Sequence, residues 1–122
     1  MTIYIVYGVK INSVKRLNSL LDAFLKIASP EDIKEIDTNW NLVDRKFFPD
    51  DNIEMSPTIE WLTEKLGLPY SFFQIVYILL KKESCDDLFE IPKPTKEQKT
   101  KLRNVLGKKL AKKAKVYIYS YH

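Results

Sequence analysis

The chain has 122 residues, of which 45% are hydrophobic and 30% charged, so it can bury one core and is too apolar to be disordered throughout. Twenty basic residues against sixteen acidic ones give a formal net charge of +4. We therefore expect one domain over residues 1–122. The three glycines are far apart in sequence, which excludes a glycine-rich phosphate loop, and one cysteine with one histidine excludes a Cys/His zinc site.

The sequence predicts a soluble intracellular protein, cytoplasmic or nuclear, without a membrane partner. Its longest apolar run, residues 75–80, is far shorter than the roughly 20 residues of a membrane-spanning helix. The N-terminus lacks the basic and apolar segments of a secretory signal. The single cysteine, Cys85, allows no disulfide within the chain, which fits a reducing compartment. These features leave open whether the source is viral or cellular.

The first predicted element is a strand over residues 3–11, where apolar residues alternate along the chain. Both of its faces begin apolar, so we place it inside a sheet. Gly8 interrupts the pattern and predicts a bulge or the close approach of another backbone. Ser13 then provides a helix cap, and the apolar residues that follow it recur at spacings of three and four.

Two further helices are predicted before the middle of the chain. The pair Ser29 and Pro30 is typical of a helix start, with a capping hydroxyl before a proline in the first turn. Ser56 and Pro57 indicate a third start, and Gly67 is placed to end that helix.

The C-terminal half alternates strand, helix and strand. Residues 72–80 are apolar on both faces, which favours a strand that is central or covered on both sides. Thr95 and Gln98 form a capping-box pattern at the start of a helix, which Gly107 weakens by about 1 kcal/mol relative to alanine. A last strand spans residues 116–121.

These elements predict a compact α+β fold with a single-layer sheet of three to four strands and helices packed mainly on one face. We expect a mixed sheet, since helical crossovers favour parallel pairing. A ferredoxin-like arrangement follows if residues 41–48 supply the fourth strand.

Charge is unevenly distributed along the chain. Residues 93–115 hold ten basic residues and one acid, whereas residues 31–60 hold nine acids and three bases. This asymmetry points to a candidate binding patch on the C-terminal helix. Its members are Lys96, Lys99, Arg103, Lys108, Lys109, Lys112, Lys113 and Lys115. Three interpretations stay open: a solvated helix face, binding of nucleic-acid phosphates, and complementarity with an acidic protein surface.

The residues that could carry chemistry form no recognisable set. Acidic neighbours disfavour the thiolate of Cys85, and the terminal His122 has no fixed geometry. The spacing of Asp50, Asp51 and Glu54 matches no calcium loop. The alternating tyrosines of the last strand could stack on bases, but such residues are more often half-buried in a sheet.

We therefore predict a non-enzymatic protein with no catalytic residue, metal or cofactor, which binds a protein partner or further copies of itself through opposite charge patches. The alternative is sequence-independent binding of nucleic acid by the lysine-rich C-terminal helix.

Overall fold

The computed structural model describes residues 2–48, 53–84 and 90–121, which contain three strands and five helices. The strands are β1 (Thr2–Lys10), β2 (Ile75–Ser84) and β3 (Lys115–Tyr121). The helices are α1 (Val14–Leu25), α2 (Pro30–Asn39), α3 (Met55–Leu66), α4 (Lys96–Leu106) and α5 (Lys108–Ala111). The first three helices join β1 to β2, and the last two join β2 to β3. The α+β class is confirmed.

The described strands form one sheet in the order β2-β1-β3, with β1 antiparallel to both neighbours. The interior position predicted for β1 is confirmed. The sheet is antiparallel and not mixed, because β2 and β3 run in the same direction but β1 lies between them. The crossover through α4 and α5 therefore joins two parallel strands that do not pair with each other.

Residues 41–48 do not form the fourth strand. Val43 and Lys46 make an isolated bridge around a tight turn, in which Asp44 and Arg45 have φ values of 52° and 57°. The ferredoxin-like arrangement is not confirmed, since it depends on that strand.

Residues 72–80 were predicted to form either a central strand or a strand covered on both sides, and the central alternative is wrong, because β2 is an edge strand. It also begins later, at Ile75, after a turn in which Gln74 has a φ of 63°. Its apolar character has another cause: Val76 lies in the core beneath the helices, and Ile75 lies in a second cluster on the opposite face of the sheet. An edge strand covered on both faces has the same sequence pattern as a central one.

The helices all pack on one face of the sheet. Odd-numbered residues of β1, such as Val9, point into the helix-side core, and even-numbered ones, such as Val6, point to the other face. The helix-side core joins Val9, Ile11 and Val76 to Leu17, Leu20, Leu21, Phe24, Ile36, Ile59, Leu62, Leu102, Leu106 and Leu110. The helix-free face carries a smaller aromatic cluster: Val6, Ile75 and Tyr119 with Tyr4, Tyr77 and Tyr117.

Local capping explains where most helices begin. The Ser13 side chain accepts a hydrogen bond from the Arg16 N–H at the start of α1. The predicted caps at Ser29 and Thr95 are confirmed, and each forms a reciprocal capping box. The start predicted at Ser56 and Pro57 lies one residue late, since α3 begins at Met55, and the helix has no side-chain cap. Gly67 ends α3 in the left-handed conformation, with a φ of 73°.

Gly107 has a larger effect than the predicted weakening of one helix. Its φ of 87° and ψ of 154° interrupt the helix, so the predicted C-terminal helix is divided into α4 and α5. Glycine adopts this backbone conformation at little steric cost.

Gly8→Ala tests the close approach between β1 and β2, which the structure confirms. A methyl group at this position would collide with the Val76 carbonyl oxygen and lie 2.8 Å from the Tyr77 Cα. We expect a loss of about 2–3 kcal/mol in the free energy of unfolding, because backbone must move in the middle of the sheet. Urea unfolding measures this loss. Gly67→Ala is the control, since it has a strained φ but open space, and it should cost only about 1 kcal/mol. Equal losses would contradict the steric explanation.

Asp32→Asn tests the cap of α2. The Ser29 main-chain N–H, which donates to the Asp32 carboxylate, holds the pKa of Asp32 below its ordinary value, and Lys65 acts in the same direction. Because the pKa of Asp32 is lower in the folded chain than in the unfolded one, its ionised carboxylate stabilises the fold at pH values above the unfolded pKa. This stabilisation is lost as the pH falls through the pKa of the folded state. We therefore expect the variant to melt at a lower temperature at pH 7 and at the same temperature in strong acid. Thermal unfolding across pH measures this difference, and a difference that persists in strong acid would contradict it.

Candidate charged interface

The eight basic residues singled out from the sequence are all solvent-exposed in the structure. We call this set the basic surface: Lys96, Lys99, Arg103, Lys108, Lys109, Lys112, Lys113 and Lys115. On α4 its members follow spacings of three and four, which places them on one helix face. The set continues through α5 and the turn after it to the first residue of β3.

Buried leucines hold these elements with their charges outward. Leu102 and Leu106 of α4 and Leu110 of α5 lie in the helix-side core. The α5 turn is closed by the Ala111 N–H, which donates to the Gly107 carbonyl at 3.0 Å, and by the Lys112 N–H, which donates to Lys108 at 3.2 Å. Lys101 and Arg103, on either side of Leu102, and Lys109, next to Leu110, are thereby directed to solvent.

The ion pairs of the described residues lie elsewhere. Arg45 approaches Asp37 at 4.0 Å, and Lys81 approaches Glu83 at 3.2 Å. Lys65 approaches both Asp32 at 3.4 Å and Glu35 at 3.6 Å. Within residues 2–48, 53–84 and 90–121, the basic surface takes part in none of them. Its charge is therefore not neutralised by the described acids.

A second charged surface lies on α2 and α3. We call it the acidic surface, and its exposed members are Glu31, Glu35, Asp37, Glu60 and Glu64. Lys65 of α3 holds the two helices together through its contacts with α2. The pKa of Lys65 is raised, above all by its hydrogen bond to Asp32, so this lysine stays charged within an acidic surrounding.

The two surfaces flank α1. This helix packs against α3 and also against α4 and α5, while α3 and α4 share no comparable contact with each other. Hence α1 separates helices with six acids and two bases (α2 and α3) from residues 96–115, which hold nine bases and one acid.

Tertiary packing adds two residues that the sequence analysis missed. Lys26 and Asp22 of α1 line a depression together with Lys108 and Lys109. They are more than 80 positions away in the chain, so no local pattern could associate them with the basic surface. Asp22 brings one acid to its border.

The Tyr119 ring of β3 does not offer an open platform for bases. Tyr119 is only 9% exposed, and its ring stacks on Tyr4 at 5.2 Å with an interplanar angle of 13°. The rings of Phe73 and Tyr77 lie 5.7 and 6.2 Å from it. This arrangement agrees with half-buried strand residues and leaves Tyr119 poorly placed to stack on a base.

A tryptophan-lined depression of about 620 Å³ lies between α2 and α3. Trp40 and Trp61 meet edge to face at 5.0 Å, and Phe47 and Glu54 also line the depression. Ile53, another lining residue, adjoins residues 49–52, which the structure does not describe.

The described ranges contain no group of three His, Cys, Asp or Glu side chains that could hold a metal ion. The sequence predictions on Asp50, Asp51, Cys85 and His122 fall outside those ranges. Nor do the described helices include one that is long and apolar enough to cross a membrane.

Comparison with known proteins identifies no relative: no protein-family model, no curated protein and no solved structure matches the chain. Function must therefore be argued from the geometry and charge of the chain itself.

Replacing both Lys112 and Lys113 with glutamine tests whether the basic surface repels itself. Lys112 follows Lys108 by four positions, and Lys113 follows Lys109 by four. Two like charges at this spacing typically lower stability by about 0.2–0.5 kcal/mol. We expect the double variant to melt at a higher temperature than the wild type at about 50 mM salt. At about 0.5 M the repulsion is screened, so the two should melt at the same temperature.

Lys34→Gln is the matched control, because this exposed lysine lies among the acids of α2. Its replacement should lower the melting temperature at low salt. A shift of the same sign for both variants would contradict the electrostatic explanation.

Proposed function

We propose that the chain is a non-enzymatic protein-binding component that associates through its oppositely charged surfaces, in the simplest case with further copies of itself. The observation that carries this proposal is the position of the basic and acidic surfaces on either side of α1. Within the described residues, the basic surface takes part in no ion pair, and Glu31, Glu60 and Glu64 of the acidic surface take part in none either. Each surface therefore attracts the opposite sign on another molecule.

The position of the two surfaces determines the kind of assembly. The basic surface of one copy meets the acidic surface of the next, so different patches touch in every contact. Such a heterologous contact produces a ring if the rotation closes and a filament if it does not. An acidic protein partner would occupy the same basic surface and end the chain of contacts.

Electrostatic attraction competes here with a net charge of +4, which by itself makes copies repel. At contact distance the local charges dominate, because a Debye length of about 10 Å at 0.1 M salt screens the distant ones. Higher salt screens the local attraction as well, so association should weaken as salt is raised from about 50 mM to about 0.5 M.

Nucleic-acid binding is the second candidate. It is supported by the continuous run of exposed basic residues from α4 to the start of β3. Lysines at a surface bind phosphates without sequence preference. Arg103 is the only arginine of the basic surface, however, and the stacked ring of Tyr119 supplies no platform for bases. The acidic surface also has no role in this candidate.

Reversal of four lysines tests the proposed function. Lys108→Glu, Lys109→Glu, Lys112→Glu and Lys113→Glu together should abolish every species larger than a dimer measured by light scattering at about 50 mM salt. The wild type should form species larger than a dimer at that salt and lose them at about 0.5 M.

The control reverses four exposed lysines outside the basic surface: Lys10, Lys15, Lys34 and Lys46. Both variants lower the formal net charge from +4 by the same eight units, so only the position of the change differs. The control should associate at least as well as the wild type.

A second variant carries lysine in place of Glu31, Glu60 and Glu64, which take part in no ion pair of the described residues. It should form no species larger than a dimer alone and recover the larger species when mixed with the four-lysine reversal. Absence of large species for the wild type at low salt would contradict self-association. In that case, salt-sensitive binding of a labelled oligonucleotide, lost in the four-lysine reversal, would favour the second candidate.

A further inference from the structure

The two edges of the sheet differ in how they are covered. At the β2 edge, the Tyr77 N–H donates to the Pro69 carbonyl at 3.1 Å, and the Ser71 N–H donates to the Ile75 carbonyl at 3.0 Å. The preceding segment thus satisfies outward main-chain groups of β2. At the other edge, β3 pairs with β1 on its inner side, and no strand of the described residues lies along its outer side.

The register identifies the main-chain groups that face outward from β3. The Ile11 N–H donates to the Gln74 carbonyl at 2.8 Å, so odd-numbered residues of β1 direct their main chain toward β2 and even-numbered ones toward β3. Gly8 is opposite Lys115, which makes the odd-numbered residues of β3 the inward ones. Val116, Ile118 and Ser120 therefore direct their N–H and carbonyl groups away from the sheet.

The side chains of the same three residues lie on the helix side of the sheet but beyond the cover of the helices. Ile118 is opposite Ile5, which is fully buried, yet Ile118 is 49% exposed and Val116 37% exposed. The helical layer thus ends above β1. It leaves an apolar strip along the outer strand.

Within the part of the chain that the structure describes, the outer edge also lacks the usual protection against pairing. Edge strands are commonly blunted by a charge, a proline or a bulge. Residues 116–120 contain neither a charge nor a proline, and their register with β1 is continuous. A regular uncharged edge is suited to receive another strand.

We propose that the outer edge of β3 pairs with β3 of a second copy, antiparallel and centred on Ile118. The two three-stranded sheets would join into one six-stranded sheet. This surface shares only Lys115 with the basic surface, and the inference does not depend on the proposed function.

The sequence of β3 favours a second copy as the occupant. Two-fold pairing about Ile118 aligns the outward groups, so Val116 lies opposite the partner's Ser120 and Ile118 opposite the partner's Ile118. On the other face Tyr117 lies opposite the partner's Tyr119, a cross-strand aromatic pair of the kind that stabilises sheets.

Charge is also compatible with this pairing. Lys115 is the only charged residue of β3, and it falls opposite the partner's Tyr121 at the end of the pairing. The two lysines are six residue steps apart, or about 20 Å at the rise of an extended strand, which exceeds the Debye length at physiological salt. No charge is buried in the contact.

Sedimentation equilibrium at about 0.5 M salt tests this inference, because the charged contacts are screened there. We expect a dimer for the wild type and a monomer for Ile118→Lys, which places a charge at the centre of the pairing. Leu79→Lys is the matched control: Leu79 is an apolar residue of β2 with a similar exposure of 44%, and this variant should remain a dimer.

Ser120→Pro provides a second variant that leaves the apolar strip intact. It removes one outward N–H without removing a bond to β1, so it should also be monomeric and keep its circular dichroism spectrum. In the wild-type dimer, the amides of Val116, Ile118 and Ser120 should be protected from hydrogen exchange, and both variants should lose this protection.

A wild-type monomer at about 0.5 M salt, or rapid exchange of these three amides in a dimer, would overturn the inference. If the wild type forms no species larger than a dimer at about 50 mM salt but is a dimer at about 0.5 M, the proposed function alone is overturned.

Discussion

The position of β1 in the middle of the sheet is the constraint on which the other features depend. Its odd-numbered side chains point to one face, where every described helix packs, and its main chain is used on both sides by β2 and β3. Gly8 makes this possible at one point, because the Val76 carbonyl occupies the space where another residue would have its Cβ. Since the helices cover β1 and leave β3 partly uncovered, the same constraint determines which edge of the sheet is exposed.

The charged surfaces follow from how the helices are placed around α1. The chain supplies acids before β2 and bases after it, and the crossover through α4 and α5 carries the bases to the opposite side of α1 from α2 and α3. A segregation along the sequence thereby becomes a segregation in space. Had the crossover brought α4 against α3, the same residues could have neutralised one another within the chain. The separation of the two charged surfaces is thus a consequence of topology as much as of composition.

Local features of the fold could be predicted from the sequence, whereas pairing between distant segments could not. Ser29 and Thr95 identify helix starts because a cap is formed by residues within one turn. The interior position of β1 also follows from its apolar faces. The edge position of β2 does not, since the aromatic cluster that includes Tyr119 covers its helix-free face and imitates the pattern of a central strand. The eight residues of the basic surface were predicted from charge alone and are exposed. The position of Lys26 beside Lys108 and Lys109 could not be predicted, because it depends on tertiary packing.

The osmotic second virial coefficient, measured by static light scattering across salt concentrations, tests the central claim most directly. A body with an evenly spread charge of +4 repels its copies, and added salt weakens that repulsion. Opposite surfaces on either side of α1 predict the reverse: a negative coefficient at about 20 mM salt that rises toward zero as salt is added. A positive coefficient at low salt that falls with added salt would contradict the account.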